Sequence, residues 1–379
     1  MSRSFISSEI YRATGYVGNH PLAIPRIGTV LSLCEHLGWL SGAAPGYVVS
    51  PQASVAEITR FHDPAYVAAL QDTEATTRAT ARVTPEARQR YRIGTLENPV
   101  FPGLFERAST SVGGSILAAQ LVASGGVAYH PSGGTHHGMR GQASGFCFFN
   151  DPVFAVLTLL DQGLQRVLYV DLDAHHGDGV EAAFTRDDRV MLISVHEENR
   201  WPWTGKLGDR STGNARNLAV PGAMNDSEMD YLMAEAVLPL AQGFAPQAVV
   251  ITCGADALAG DPLSSLALSN TCLWDAVMAL VALSPATVVL GGGGYNPWTT
   301  ARLWAGLWGR IAGHRVPRVL PAPSVALLQG LACDLVDADE MRPGWTTTLA
   351  DPRHDGPVRP RFREIVGTVL ASDKEVRAA

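Results

Sequence analysis

The stretch Val167-Leu168-Tyr169-Val170-Asp171-Leu172-Asp173-Ala174-His175-His176-Gly177-Asp178-Gly179 organises this chain. Its first four residues are apolar, β-branched or aromatic, the composition of a buried strand. Asp171, Asp173, His175, His176 and Asp178 then follow in quick succession. A buried strand that ends in carboxylates and imidazoles sets polar groups at the edge of a core. Left unpaired there, each costs roughly several kcal/mol. They must pair with one another or with a cation, and a metal site satisfies them together.

The same pattern recurs along the chain. Strands are expected at Gly126–His130, Val167–Asp171, Val190–His196, Ala248–Cys253 and Thr287–Leu290. Helical patterns lie between them at Phe105–Ala123, Pro152–Gln162, Asp226–Gln242 and Ser269–Leu283. Alternating strands and helices, with strands this continuously apolar, predict an α/β fold with a parallel sheet covered on both faces. Each strand is followed by a polar or glycine-rich loop: Pro131–Gly138, Asp171–Gly179, His196–Asn199, Gly254–Asp261 and Gly291–Asn296. Ligands of open parallel sheets bind beyond the carboxyl ends of the strands, so these loops converge on one site. No linker, repeat or low-complexity tract interrupts the 379 residues, and one domain over 1–379 is expected. From about Pro343 to the end the chain is polar and proline-rich, and is expected at the surface with one last helix.

Composition narrows the function. The net charge of −7 lacks the basic footprint of a nucleic-acid binder. No apolar run reaches the roughly 18 residues of a membrane span, and the start of the chain lacks the apolar core of a signal peptide. Five scattered cysteines form no CxxC pair, which predicts reduced thiols and a cytoplasmic setting.

Asp173 and His175 are two apart and point the same way in extended backbone, so both reach one cation. The best candidate for a third ligand is Asp261. Two carboxylates and an imidazole suit Zn²⁺ with an open position, and Fe²⁺ accepts the same set. The tandem His136-His137 sits among Gly133, Gly134 and Gly138, which let both imidazoles face one point. Asp171 and Asp178 are available to orient them, giving two His–Asp pairs for acid–base work. Tyr295 follows four glycines and can donate to an oxyanion. Phe146 and Trp201 stand in loops and can wall an alkyl chain, whereas Phe148, Phe149 and Trp203 read as core or rim packing. His36, His62, His314 and His354 read as ordinary, His130, His176 and His196 as supporting groups, and Glu197 and Glu198 as solvated.

Together these residues resemble the arginase/deacetylase superfamily, in its zinc-dependent histone deacetylase branch and the bacterial acetoin-utilisation-type relatives. Asn19-His20-Pro21-Leu22-Ala23-Ile24-Pro25-Arg26, Phe61-His62-Asp63-Pro64-Ala65-Tyr66-Val67 and Glu97-Asn98-Pro99-Val100 extend the match. The resemblance implies an eight-stranded parallel sheet and hydrolysis of N-acetyl amides, foremost acetyl-lysine in proteins or peptides. It implies zinc on Asp173, His175 and Asp261, with His136 paired to Asp171 and His137 to Asp178. His137 is then the general base and acid, His136 electrostatic, and Tyr295 the oxyanion donor. It implies an acyl-lysine tunnel between Phe146 and Trp201, with Leu268 as a further wall and the Gly145 carbonyl on the substrate nitrogen. Glu97 becomes the rim carboxylate, and Arg26 lines an internal cavity for acetate. A structural potassium would use Asp171, Asp173, His175, Ser194 and Val195, and a second monovalent ion would lie near Phe184. Two positions depart from the family: Trp201 stands where Phe is usual, and Glu97 where Asp is usual. An acetylpolyamine amidohydrolase shares the machinery, though Asp72–Tyr91 looks short for that group's loop insertion. A binuclear ureohydrolase lacks the further carboxylates, and a noncatalytic acyl-lysine scaffold would have lost a ligand or the tyrosine. A homo-oligomer is compatible with all of these.

Overall fold

The computed structural model describes residues 2–16, 18–40 and 46–378. Its frame is one sheet of eight parallel strands, β1 (Arg3–Ser7), β2 (Tyr47–Val49), β3 (Gly126–His130), β4 (Val167–Asp171), β5 (Val190–Glu197), β6 (Ala215–Val220), β7 (Ala248–Thr252) and β8 (Ala286–Leu290). They are ordered β2-β1-β3-β8-β7-β4-β5-β6. The five expected strands are all present. The other three carried weaker signals. β1 and β2 are short, and β6 contains Arg216 and Asn217, which look wrong for a buried strand. Both are satisfied from outside it, Arg216 by Asp373 at 2.6 Å and Asn217 by Glu181 at 2.8 Å.

Helices flank both faces: α1 (Arg26–His36), α2 (Pro64–Thr80), α3 (Leu104–Val122), α4 (Asp151–Asp161), α5 (Asn270–Val281), α6 (Pro297–Ala312) and α7 (Pro360–Ala378). Successive strand residues serve opposite layers, as the two-residue period of a strand requires. Leu168, Val170, Val249 and Ile251 enter one core with α1, α5, α6 and α7. Val167, Tyr169, Ala248 and Val250 enter the other, with α2, α3 and α4. The expected helix Asp226–Gln242 is broken by a π-turn at Met233–Val237. Pro239 follows it, and a ring without an N–H cannot continue a regular α-helical ladder.

The final segment carries the expected last helix, α7, and most of its residues are exposed or half-buried. Trp345, Leu349, Phe362, Ile365 and Val369 are buried and complete the first core. The helix α7 sets this apolar stripe along β6 and holds it with the Arg216–Asp373 pair.

Register sets the site. His130 aligns with Leu290, Leu290 with Thr252, Thr252 with Asp171, and Asp171 with Ser194. The carboxyl ends of β3, β8, β7, β4 and β5 therefore form one row, and the loops that follow open on one edge. Among the described residues, no helix is long and apolar enough to cross a membrane.

Candidate active site

The loop after β3 carries the tandem imidazoles, and Asn150 and Asp151 at the start of α4 hold it. Buried Asp151 accepts the amides of Gly134 at 3.1 Å and Thr135 at 2.8 Å, and the hydroxyl of Ser115 at 2.5 Å. Asn150 Nδ2 donates to the carbonyls of His136 at 3.0 Å and Gly138 at 2.9 Å. His62 accepts the Asn150 amide at Nε2 and donates from Nδ1 to the Met139 carbonyl. Burial lowers its pKa to about 4, so it stays neutral. The sequence reading missed all three supports. Their only signal was a polar residue beside an apolar run.

Both expected dyads are formed. His136 Nδ1 donates to Asp171 Oδ2 and His137 Nδ1 to Asp178 Oδ1, each at 2.7 Å, with ring centroids 3.9 Å apart. The two imidazoles differ in basicity. Burial opposes charge on His136, but Asp171 and Asp173 outweigh it and raise the pKa to about 9. Burial and the neighbouring His136 lower that of His137 to about 4, against the pull of Asp178. Neutral His137 has its proton on Nδ1, which leaves Nε2 as the basic nitrogen. Tyr169 also donates to Asp171 Oδ2.

Beside the dyads, donor atoms of Asp173, His175 and Asp256 lie within 4.8 Å of one another. His175 Nδ1 is 2.9 Å from Asp256 Oδ2 and 3.3 Å from Asp173 Oδ1. Asp256 had no role in the sequence reading. A short 3-10 turn at Ala255–Ala257, directly after β7, brings it under His175. Asp261, expected as third ligand, is not in this group. Its oxygens accept the amides of Tyr295 at 2.7 Å and Leu263 at 2.9 Å, which turn the carboxylate toward the glycine loop. It remains close enough to Asp256 and His175 to feel both charges. Burial and Asp256 raise its pKa to about 7, and burial and Asp173 raise that of Asp256 to about 6. Burial opposes charge on Asp173 too, yet His136 and His175 hold it well below the usual carboxylate range. Three buried carboxylates share this corner with imidazoles as their charge partners. That donor set fits a divalent cation.

The expected potassium residues lie alongside. Ser194 is the register partner of Asp171, and its hydroxyl bonds His196 Nδ1 at 2.8 Å. The carbonyl of buried Phe184 accepts Asn214 Nδ2 at 2.6 Å.

The glycine run after β8 is required by close approach. A Cβ on Gly293 would stand 2.0 Å from Asp256 Oδ2, and the Gly293 amide donates to Asp173 at 2.6 Å. Tyr295 is buried, edge-on to Phe146 with centroids 5.8 Å apart. Across from them the Trp201 ring stands edge-on to His137 at 4.5 Å and lies 6.3 Å from His175. Gly145 sits between, where a Cβ would strike both Trp201 and His137. A cavity of about 140 Å³ runs inward, lined by Tyr16, Arg26, His136, His137, Phe146 and Tyr295 among others. At its wall the Arg26 guanidinium stacks on Trp304 at 4.7 Å and donates to the Gly292 carbonyl.

Several expectations need correction. Leu268 is bridged to Leu258 and buried in the core, and neither it nor Trp201 is among the residues that line the cavity. Glu97 is tied down, accepting the Gly145 amide at 2.7 Å. The Gly145 carbonyl accepts the Cys147 thiol at 3.2 Å. Glu197 is not solvated but buried against Arg200 and Ser265. Phe148 and Phe149 pack as expected, whereas Trp203 is 66% exposed.

Residues 20–311 match the family described as Histone deacetylase domain. The chain is 36% identical over 288 residues to Histone deacetylase clr6 of Schizosaccharomyces pombe, covering 72% of this chain and 68% of that one. It is 32% identical over 333 residues to the Acetoin utilization protein AcuC of Bacillus subtilis, covering 83% and 84%. It spans 54% to 61% of the length of six further eukaryotic histone deacetylases of Oryza sativa, Arabidopsis thaliana and Caenorhabditis elegans. The crystal structure of an HDAC homolog from Aquifex aeolicus superposes with a TM-score of 0.91 at 31% identity, over 97% of this chain and 100% of that one.

Proposed function

The chain belongs to the histone deacetylase family, a family of hydrolytic enzymes, and from that premise we propose that it hydrolyses N-acetyl amides on flexible alkylamines, acetyl-lysine in proteins or peptides foremost. The observation that carries this reading is the pair of His–Asp dyads beside a carboxylate–imidazole cluster and Tyr295.

Asp173 and His175 would hold a zinc ion with Asp261 as the third ligand, and Asp256, which faces the same Nδ1 of His175 as Asp173 does, is the competing carboxylate. When bound, the cation supplies Lewis acidity toward the acetyl carbonyl and the attacking water. His137 Nε2 takes the water proton as the oxygen adds to the carbonyl carbon. The Tyr295 hydroxyl donates to the oxyanion that forms. His137 then delivers that proton to the amine nitrogen, the C–N bond breaks, and amine and acetate leave. His136, hydrogen-bonded to Asp171, stands beside the developing anion and acts on it electrostatically. Arg26 offers its guanidinium in the inner cavity to the departing acetate. The potassium set at Asp171, Asp173, His175, Ser194 and Val195 would brace the strand ends.

A protein or peptide substrate is favoured over an acetylpolyamine by the segment Asp72–Tyr91. It folds as the end of α2 and the helix Pro85–Tyr91, joined by residues 81–84, with no long insertion. Reduced cysteines, all free, support a cytoplasmic setting. Comparing kcat/KM on an acetyl-lysine peptide and on acetylputrescine tests the assignment. A clear preference for the peptide is expected, and the reverse preference makes the chain a polyamine amidohydrolase.

A further inference from the structure

Trp201 stands in the segment Arg200–Gly205, and this segment is anchored at both ends. At its start the Arg200 guanidinium donates to Glu197 at 2.5 and 2.9 Å and to the Leu263 carbonyl at 2.8 Å. Glu197 is buried and also accepts the Ser265 amide at 2.9 Å. Leu263 and Ser265 follow directly on Asp261. At the far end His176 Nδ1 meets the Thr204 hydroxyl at 2.9 Å, while its Nε2 donates to Glu181 at 3.0 Å. His196 Nε2 donates to the Gly205 carbonyl at 2.8 Å. Gly205 has φ +67°, and a Cβ there would stand 2.5 Å from the His176 ring. The segment is thus bolted to β5, to the loop of Asp173 and His175, and to the loop of Asp261.

These bonds have one consequence for the site. The indole between the anchors lies edge-on to His137 and beside His175, with Gly145 reduced to a hydrogen so that it fits. The indole therefore stands directly beside the imidazoles that would meet the amide. A wall held by side-chain bonds at both ends yields little, so it excludes thick chains at a cost they cannot recover by pushing it aside.

We propose that Arg200 and Thr204, through Glu197 and His176, are positioning residues that hold Trp201 rigid beside His137, and that loosening either anchor relaxes the thickness of chain the site accepts. The inference rests on the amide-hydrolase reading given above and adds the residues that hold one wall of its site.

Two matched peptides test it, one with acetyl-lysine and one with an acetylated 4-aminomethyl-phenylalanine in its place. Wild type is expected to favour the lysine peptide strongly in kcat/KM. Arg200→Ala and Thr204→Val should each lower that ratio about tenfold, the scale on which a pocket wall separates substrates of different thickness. Trp201→Phe should lower it as well, and adding Arg200→Ala to Trp201→Phe should lower it no further. Equal losses on both peptides, with the ratio kept, would show a merely structural role and overturn the proposal. If Arg200→Ala fails to fold, the exposed Thr204→Val carries the same comparison. A readout without turnover is the ¹⁹F resonance of 5-fluorotryptophan at Trp201, assigned by its loss in Trp201→Phe. It should shift or broaden in both anchor variants, and an unmoved line in both overturns the proposal. No turnover of either peptide by metal-loaded wild type would instead defeat the amide-hydrolase reading, and the ¹⁹F line would still decide the anchors.

Discussion

Tyr169 donates its hydroxyl to Asp171 Oδ2 at 2.7 Å, the oxygen that also receives His136 Nδ1. The same hydroxyl lies 2.9 Å from Thr252 Oγ1, on the neighbouring strand β7. The dyad is therefore fastened to the sheet rather than to its own loop. Tyr169→Phe should lower kcat several-fold with little change in KM, and lower stability by about 1–2 kcal/mol, the scale of one buried hydrogen bond. Steady-state kinetics and urea unfolding read both. An unchanged kcat would mean that Asp171 needs no help in orienting His136.

His137 carries the proton in both directions. His137→Ala should reduce kcat/KM by about 10²- to 10⁴-fold, the range for a positioned acid–base group. Asp178→Asn should cost less, about tenfold or more, because it frees the tautomer without removing the ring. An Asp178→Asn loss as large as that of His137→Ala would assign the proton to the pair rather than to the imidazole.

Asp261 and Asp256 occupy one loop and compete for the role of third ligand. Asp261→Asn should abolish stoichiometric zinc in the purified protein. Asp256→Asn should weaken zinc affinity by about 10- to 100-fold, the scale of losing a supporting carboxylate beside the ligands. Metal analysis with competitive chelators measures both, and the opposite order would move the third ligand to Asp256.

His62 ties stability to pH. Its imidazole is neutral in the fold, with a pKa lowered by burial to about 4, against about 6.5 in an unfolded chain. Below pH 6.5 the unfolded state binds the proton that the folded state refuses. Stability is therefore full above that pH and falls as pH drops from 6.5 toward 4, by up to about 3 kcal/mol from this residue. The urea midpoint of wild type should fall over that window, and that of His62→Gln should fall less. Parallel curves would remove His62 from the acid response.

The sequence was legible where one residue type had one use. Apolar strands ending in acids and imidazoles located the sheet edge, and the register of β3, β8, β7, β4 and β5 brings those ends into line. It was illegible where a residue's role depends on a distant partner. Arg216 hides β6 because Asp373 neutralises it from 157 residues away. Glu197 reads as a solvated surface acid because Ser265, which caps it beside the local Arg200, comes from a loop 68 residues away. Asp256 and Asp261 could not be ranked from spacing, since a single 3-10 turn decides which one faces His175. Asn150 and Asp151 look like an ordinary helix start, and their second task at the His136-His137 loop shows only in three dimensions.

The proposed reaction is metal-dependent release of acetate by these dyads and Tyr295. Acetate release from one acetyl-lysine peptide should be measured with protein stripped of metal, with protein reloaded with one equivalent of zinc, and with reloaded Tyr295→Phe. Turnover should vanish on stripping, return on reloading, and be lower by roughly 10²-fold or more in Tyr295→Phe, the cost of one oxyanion donor. Zinc bound at one equivalent with no acetate from this or any other acyl-amine would contradict the account and leave the chain a binder of acyl-lysine rather than an enzyme.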